Sequence, residues 1–225
     1  MTKIEQIHVK ESLLKANDYV AQELKRRFAE QGSYVVNLLS SPGSGKTTLL
    51  EACLPKLAQT HRVLVLEGDL ETQLDAQRIR EKGIDALQIT TGGACHLEAH
   101  QVQLAYEALA PEKPYDFVFI ENVGNLVCPS SYDLGEHLRV VLLSVPEGQD
   151  KPPKYPKAFR TAQAMALTKM DVLDYFDFDP AEAERLAREI QPDLEVFHLS
   201  AKTGAGIDAW LEYLVRCRED RLAPR

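Results

Sequence analysis

The most specific chemistry in the chain lies in Leu39-Ser40-Ser41-Pro42-Gly43-Ser44-Gly45-Lys46-Thr47-Thr48. An apolar run over 34–39 precedes it and Leu49-Leu50-Glu51-Ala52 follows. Strand, glycine-rich turn and helix therefore succeed one another, as a phosphate-binding loop requires. Gly43, Ser44, Gly45, Lys46, Thr47 and Thr48 form the expected cradle. The glycines let backbone N–H groups curl around an anion, and the helix N-terminus adds partial positive charge. Lys46 reaches the outer phosphates, and Thr47 is placed to hold Mg²⁺ through its hydroxyl. The usual pattern opens on glycine, and here that position is Ser40. These residues predict a nucleotide-binding protein.

Carboxylates at strand ends supply the next candidates. Glu67-Gly68-Asp69 closes the apolar run from Arg62, and in a parallel sheet such an end faces the ligand edge. Asp69 is a candidate for orienting an attacking water or a metal-bound one, against the plainer role of capping a helix expected over 71–80. Glu121-Asn122-Val123-Gly124 closes the strand expected over 115–120. There Glu121 is expected to organise Mg²⁺, its length suggesting a contact through water, and Gly124 to donate its N–H to the terminal phosphate. With Lys46 and Asp69, Glu121 completes the expected catalytic set.

Two late segments bear on the base. Thr168-Lys169-Met170-Asp171 contains a Lys-x-Asp core, with Thr where Asn is usual in guanine-binding proteins. Asp171 can accept from guanine N1–H and its exocyclic amine, donors that adenine does not pair on that edge, while the Lys169 stem lies over the ring. Ser200, Ala201 and Lys202 resemble a second guanine motif, whose backbone N–H contacts the guanine carbonyl. Both motifs in this order after a phosphate loop point to GTP over ATP.

Soft ligands form a separate group. Cys95 and His96 are expected to open a helix after Gly92-Gly93, with His100 four residues on along the same face. Cys128 follows the 121–124 turn. Thiolate with imidazole suits Ni²⁺ or Zn²⁺. The spacing is not a standard zinc signature, and taken alone it fits buried thiols equally well. Cys53 and Cys217 lie in helical stretches without partners and read as core thiols.

The elements that must position these groups alternate. Strands are expected over 34–39, 62–67, 85–90, 115–120, 137–145, 164–168 and 194–199. Helices are expected up to Gly32, over 71–80, from 97 towards Pro111, over 180–190, and at the end around Ile207, Trp210, Leu211 and Leu214. A proline- and lysine-rich stretch over 146–157 reads as a stiffened loop. Such alternation implies an α/β fold with a doubly wound, largely parallel sheet. The 225 residues suit one domain, and 44% hydrophobic with 27% charged residues is ordinary for a soluble protein. A net charge of −8 argues against sequence-independent nucleic-acid binding. No apolar run approaches a membrane span, no secretory signal is evident, and four scattered cysteines are no disulfide framework. A cytoplasmic protein without nucleic-acid or membrane partners is expected.

Taken together, the phosphate loop, Glu67-Gly68-Asp69, Gly92-Gly93-Ala94-Cys95-His96-Leu97, the run from Glu121 to Asn125-Leu126-Val127-Cys128-Pro129, and Lys154-Tyr155-Pro156 resemble the hydrogenase nickel-incorporation GTPases, the HypB family. The resemblance runs from about residue 8 to the C-terminal helix and implies a three-layer P-loop GTPase fold, mostly parallel, over a single domain 1–225 with residues 1–32 packing on it. It implies slow GTP hydrolysis to GDP with Mg²⁺, and Cys95, His96 and Cys128 as ligands of Ni²⁺ or Zn²⁺, with His100 left open. It implies a homodimer when GTP is bound, a small zinc-containing partner protein, and delivery of nickel to a hydrogenase large-subunit precursor. Three ligands leave open positions on a four-coordinate metal, as a carrier that must release its cargo needs, and two copies could share the metal across a two-fold axis. The four residues separating Gly124 from Cys128 suggest that nucleotide state is coupled to metal affinity. The histidine-rich run and cysteine cluster that some members carry before this region are absent from the sequence, so no separate high-affinity nickel store is expected. Lys154 reads equally as a loop lysine reaching the opposite subunit's nucleotide or as a solvated side chain. Alternatives are a related chaperone for urease or cobalamin enzymes, a metal-storing GTP-binding regulator, and a small-molecule kinase.

Overall fold

A computed structural model describes residues 3–69 and 74–223. In order, the elements are α1 (Lys3–Glu30), β1 (Tyr34–Ser40), α2 (Lys46–Leu57), β2 (Val63–Asp69), α3 (Leu74–Glu81), β3 (Asp85–Thr90), α4 (Ala99–Leu109), β4 (Phe117–Glu121), β5 (Leu138–Ser144), α5 (Lys151–Lys154), α6 (Pro156–Thr161), β6 (Ala164–Thr168), α7 (Pro180–Ile190), β7 (Glu195–His198) and α8 (Ile207–Leu222). The strands form one sheet in the order β3-β2-β4-β1-β5-β6-β7, and every pairing is parallel.

The apolar runs have no polar alternation because both sheet faces are covered. Successive side chains still divide between faces at period two. Val36 and Leu38 of β1, Val63 and Val65 of β2, and Phe117 and Phe119 of β4 pack with Leu50, Leu54 and Trp210 from α2 and α8. On the opposite face Val35, Leu64, Leu66, Val118 and Ile120 pack with Leu24, Phe28, Val102 and Tyr106 from α1 and α4. Val141, Leu143, Met165 and Leu167 are covered by Phe159, Ala183 and Ala187 from α6 and α7. Helices on both faces of a parallel sheet give the expected three layers. At the centre β1 pairs with β4 on one side and β5 on the other, so the phosphate loop after it leaves the sheet where ligands bind in such folds.

The helix expected over 71–80 is seen from Leu74 to Glu81, residues 71–73 of that expectation lying outside the described ones. Two local expectations change. Cys95 and His96 do not open a helix: residues 91–98 are irregular and α4 starts at Ala99. The start is set by a capping box, in which Glu98 N–H donates to Gln101 Oε1 at 2.9 Å and the Glu98 side chain caps the backbone in return. The 146–157 stretch is a chain of short helical turns instead of a loop, including α5 and α6. Its prolines sit at first-turn positions, where their missing N–H has no intrahelical partner to lose. Among the described residues no helix is long and apolar enough to cross a membrane.

Candidate functional site

The phosphate loop is held open by two left-handed glycines, Gly43 at φ +74° and Gly45 at φ +91°, conformations that a side chain would strain. Ser40 needs no such freedom, since it is the last residue of β1 with ordinary φ. Its hydroxyl accepts a 2.8 Å hydrogen bond from Lys46 Nζ and donates to Ser41 O. The departure from glycine thus supplies a resting partner for the buried lysine.

Across the cleft, Thr47 Oγ1 donates to Glu121 Oε1 at 2.8 Å. Glu121 stands in register with Glu67 in the neighbouring strand, and both carboxyls are buried. Burial, then the adjacent Glu121, pushes Glu67 well above the usual carboxylate range. Burial also raises Glu121, against the opposing pull of the Lys46 ammonium and the Thr47 hydroxyl. Glu67 Oε1 and Glu121 Oε2 are buried acceptors without a protein partner. An all-oxygen donor set of this kind fits a hard cation such as Mg²⁺. Glu67 is not among the residues that local sequence pattern marks as candidates. The cue was a carboxylate inside a buried strand, and it becomes informative only once β2 and β4 are in register.

Asp69, at the end of β2, lines the same cleft of about 450 Å³ with the loop, Glu67, Glu121 and Gly124. Gly124 lies directly on the loop: a Cβ there would sit 2.9 Å from Pro42 Cα. Its neighbours explain the glycine by close approach.

A second hollow opens beside the first, lined by Gly45, Thr48, Lys169, Asp171, Ala201 and Lys202 among others. Lys169, at φ +59°, donates from Nζ to Gly43 O at 2.7 Å, so its stem crosses from one hollow to the other. Asp171 Oδ1 accepts from Ser200 Oγ at 2.7 Å, which fixes the carboxylate towards the hollow's wall. Thr168, where Asn is usual, donates from Oγ1 to Ser44 O at 2.7 Å and ties this wall to the phosphate loop.

Cys95, His96 and Cys128 come together with their ligand atoms within 4.8 Å of one another. The Cys95 Sγ lies 3.8 Å from His96 Nδ1, and its thiol is raised first by a hydrogen bond with Cys128. The His96 ring stacks on Tyr132 at 4.0 Å between centroids, which sets its plane. Cys128 is followed by a 3-10 turn, Pro129–Ser131. Buried Arg139 holds that turn through Tyr132 O at 2.8 Å and is itself paired with Glu136. Asn125 joins the two ligand segments: its Nδ2 donates to Cys95 O at 3.4 Å and its Oδ1 accepts from Val127 N–H at 2.8 Å. Thiolate and imidazole at such separations suit a borderline or soft divalent ion. His100 is exposed on α4 and does not join the cluster, because the helix on which the i, i+4 argument rested starts after His96. Cys53 is buried in α2 and pushed up to about 12 by burial, and Cys217 packs against the core from α8. Lys154 is exposed and pairs with Asp150 of its own segment.

Comparison with known proteins places these features among relatives. Residues 34–198 match the CobW/HypB/UreG nucleotide-binding domain. The chain is 45% identical to the hydrogenase maturation factor HypB of Azotobacter chroococcum over 97% of its own length and 72% of that protein. It is 43% identical to the hydrogenase/urease maturation factor HypB of Helicobacter pylori, over 95% of its own length and 89% of that protein. The crystal structure of HypB from Helicobacter pylori in complex with nickel superposes with a TM-score of 0.87 at 43% identity, covering 93% of this chain and 98% of that one.

Proposed function

The chain belongs to the CobW/HypB/UreG family of nucleotide-binding proteins, and from that premise we propose that it is a GTP-hydrolysing metallochaperone that carries nickel to hydrogenase. One observation supports the reading: Cys95, His96 and Cys128, a set that could hold a metal ion, lie together, and Cys128 follows the 121–124 turn that lines the nucleotide cleft. A metal site and a nucleotide site that share their supporting turns can exchange information, which a store alone does not require. Nickel is the cargo, and the open position left by three protein ligands gives it a way out. Zn²⁺ competes for the same donors.

The nucleotide chemistry follows from the residues in the cleft. When GTP enters, Lys46 exchanges the Ser40 hydroxyl for phosphate oxygens, moving only its ammonium. The N–H groups from Gly43 to Thr48 surround the β-phosphate, and Gly124 N–H meets the γ-phosphate from the facing turn. Thr47 and Glu121, with Glu67 behind them, would hold Mg²⁺, which neutralises charge building on the phosphate oxygens. Asp69 orients the attacking water. Asp171 reads the guanine edge, Lys169 covers the base, and Ser200, Ala201 and Lys202 close the far side.

On this reading residues 1–225 form a single GTPase domain that works in the cytoplasm, dimerises when GTP is bound, and receives or passes nickel through a small zinc-containing partner before a hydrogenase large-subunit precursor takes it. A urease client is a second reading, favoured by the relative that is named for both enzymes. The test is GTP-dependent nickel transfer to an apo hydrogenase precursor. Transfer is expected with GTP and lost in Cys128→Ala; equal transfer with GDP, or from the alanine variant, overturns the proposal.

A further inference from the structure

The nucleotide cleft and the metal cluster meet at a side chain that the phosphate and metal chemistry leave without a role. Asn122 lies between Glu121 and Val123, two residues before Gly124, and is 1% exposed. Its Oδ1 accepts from Val123 N–H at 3.0 Å, inside the turn that rests on the phosphate loop. The same oxygen accepts from Leu97 N–H at 3.4 Å, the residue immediately after His96. Its Nδ2 donates to Asn37 Oδ1 in β1 at 3.3 Å. One buried amide therefore joins the strand leading into the phosphate loop, the turn facing the γ-phosphate, and the segment holding a metal ligand.

Leu97 is tied to the nucleotide side a second time. Its side chain is fully buried, and a Cβ on Gly68 would lie 2.7 Å from Leu97 Cδ1. Gly68 is the residue before Asp69. Main chain and side chain of Leu97 thus both rest on residues of the cleft. A displacement of the 121–124 turn has no soft layer to dissipate into before it reaches His96, because close-packed interiors transmit shifts.

We infer that Asn122 is a positioning residue that couples nucleotide state to metal affinity, its Oδ1 carrying the motion of the 121–124 turn to Leu97 N–H and so to His96. The inference rests on the coupled-carrier reading above, and the experiment separates the two. Ni²⁺ is titrated into the full chain at saturating GDP and at a saturating non-hydrolysable GTP analogue, followed by thiolate-to-nickel absorbance. The quotient of the two dissociation constants is the coupling ratio. For the unaltered chain it is expected to be about tenfold or more. Asn122→Ala removes the shared acceptor, and its ratio falls to within about twofold of unity, a loss that general destabilisation does not produce because both nucleotide states carry the same substitution. Asn122→Asp keeps the acceptor, and an amide flip of Asn37 would turn a donor towards the new carboxylate; its ratio stays within about threefold of the unaltered chain. An unchanged ratio in Asn122→Ala overturns the inference alone, and so does a collapsed ratio in Asn122→Asp, which also carries the test should the alanine chain not fold. A ratio of one in the unaltered chain removes the coupled-carrier reading as well.

Discussion

Gly68→Ala probes the contact between the nucleotide strand and the metal segment. Gly68 has an ordinary φ, so the substitution brings no backbone strain, only a methyl group. That methyl would stand 2.7 Å from Leu97 Cδ1, 2.8 Å from Leu97 Cγ and 3.2 Å from Glu121 O. Relaxing the first two to van der Waals contact needs a shift of about 1 Å. Leu97 has nowhere to retreat, being fully buried with its N–H bonded to Asn122. The shift therefore passes into the backbone beside His96. Overpacking of this kind costs about 1–3 kcal/mol. At about 2–4 °C per kcal/mol for a chain of this size, the midpoint should fall by roughly 2–12 °C. Nickel affinity should fall about tenfold, since close ligand geometry is lost while the ligands remain. Calorimetry and metal titration measure both. A double-mutant cycle with Leu97→Ala supplies the control: the larger-to-smaller change makes room for the methyl, and the pair should show an interaction of about 0.5–3 kcal/mol relative to the single changes. Unaltered midpoint and nickel affinity in Gly68→Ala, or simple additivity in the cycle, refute the proposed path from strand to metal.

Other substitutions bear on the cleft. Because the folded state holds Glu67 above its usual range, near 4.5, the protein binds this proton more tightly folded than unfolded. Its contribution is therefore present below about pH 4.5 and is lost as pH rises through the raised value. Glu67→Gln should accordingly give the metal-free protein a higher midpoint than the unaltered chain at pH 8, with the difference closing towards pH 4.5, and a smaller stabilisation by Mg²⁺ with GDP; parallel pH profiles contradict this. Asp171→Asn should weaken GTP about a hundredfold while leaving ATP where it was, as displacement of a fluorescent nucleotide would report; unchanged GTP binding removes Asp171 from base recognition. Gly124→Ala sets a methyl 2.9 Å from Pro42 Cα, a backbone atom that cannot turn aside, so a GTP analogue should lose affinity relative to GDP in calorimetric titration. Equal losses for both nucleotides would place the effect outside the γ-phosphate contact.

Much of this architecture was legible in the residues. The phosphate loop and the strand sequence are local patterns, and each stands where expected, while Lys169, Asp171, Ala201 and Lys202 line one hollow beside the loop. Cys95, His96 and Cys128 meet because the segments carrying them follow β3 and β4, which flank β2 in the sheet. Glu67 was missed because its meaning depends on register with Glu121, a relation between distant strands that no local pattern displays. Asn122 was hidden for the same reason: its partners Leu97 and Asn37 lie 25 and 85 residues away. The start of α4 was misjudged because Leu97 continues the apolar spacing of the helix, whereas hydrogen bonding between Glu98 and Gln101 sets its first turn. The proline-rich stretch shows the reverse error. Proline density suggests a loop, yet at a first helical turn proline costs no hydrogen bond.

Interdependent binding of GTP and nickel through the 121–128 segment is measured by titrating Ni²⁺ into the protein with GDP and with a non-hydrolysable GTP analogue while light scattering follows the mass. A shift from monomer to dimer is expected with the analogue, with a nickel affinity that differs about tenfold between the two states and nickel changing analogue affinity by the same factor. Identical nickel affinities at an unchanged mass would rule such coupling out.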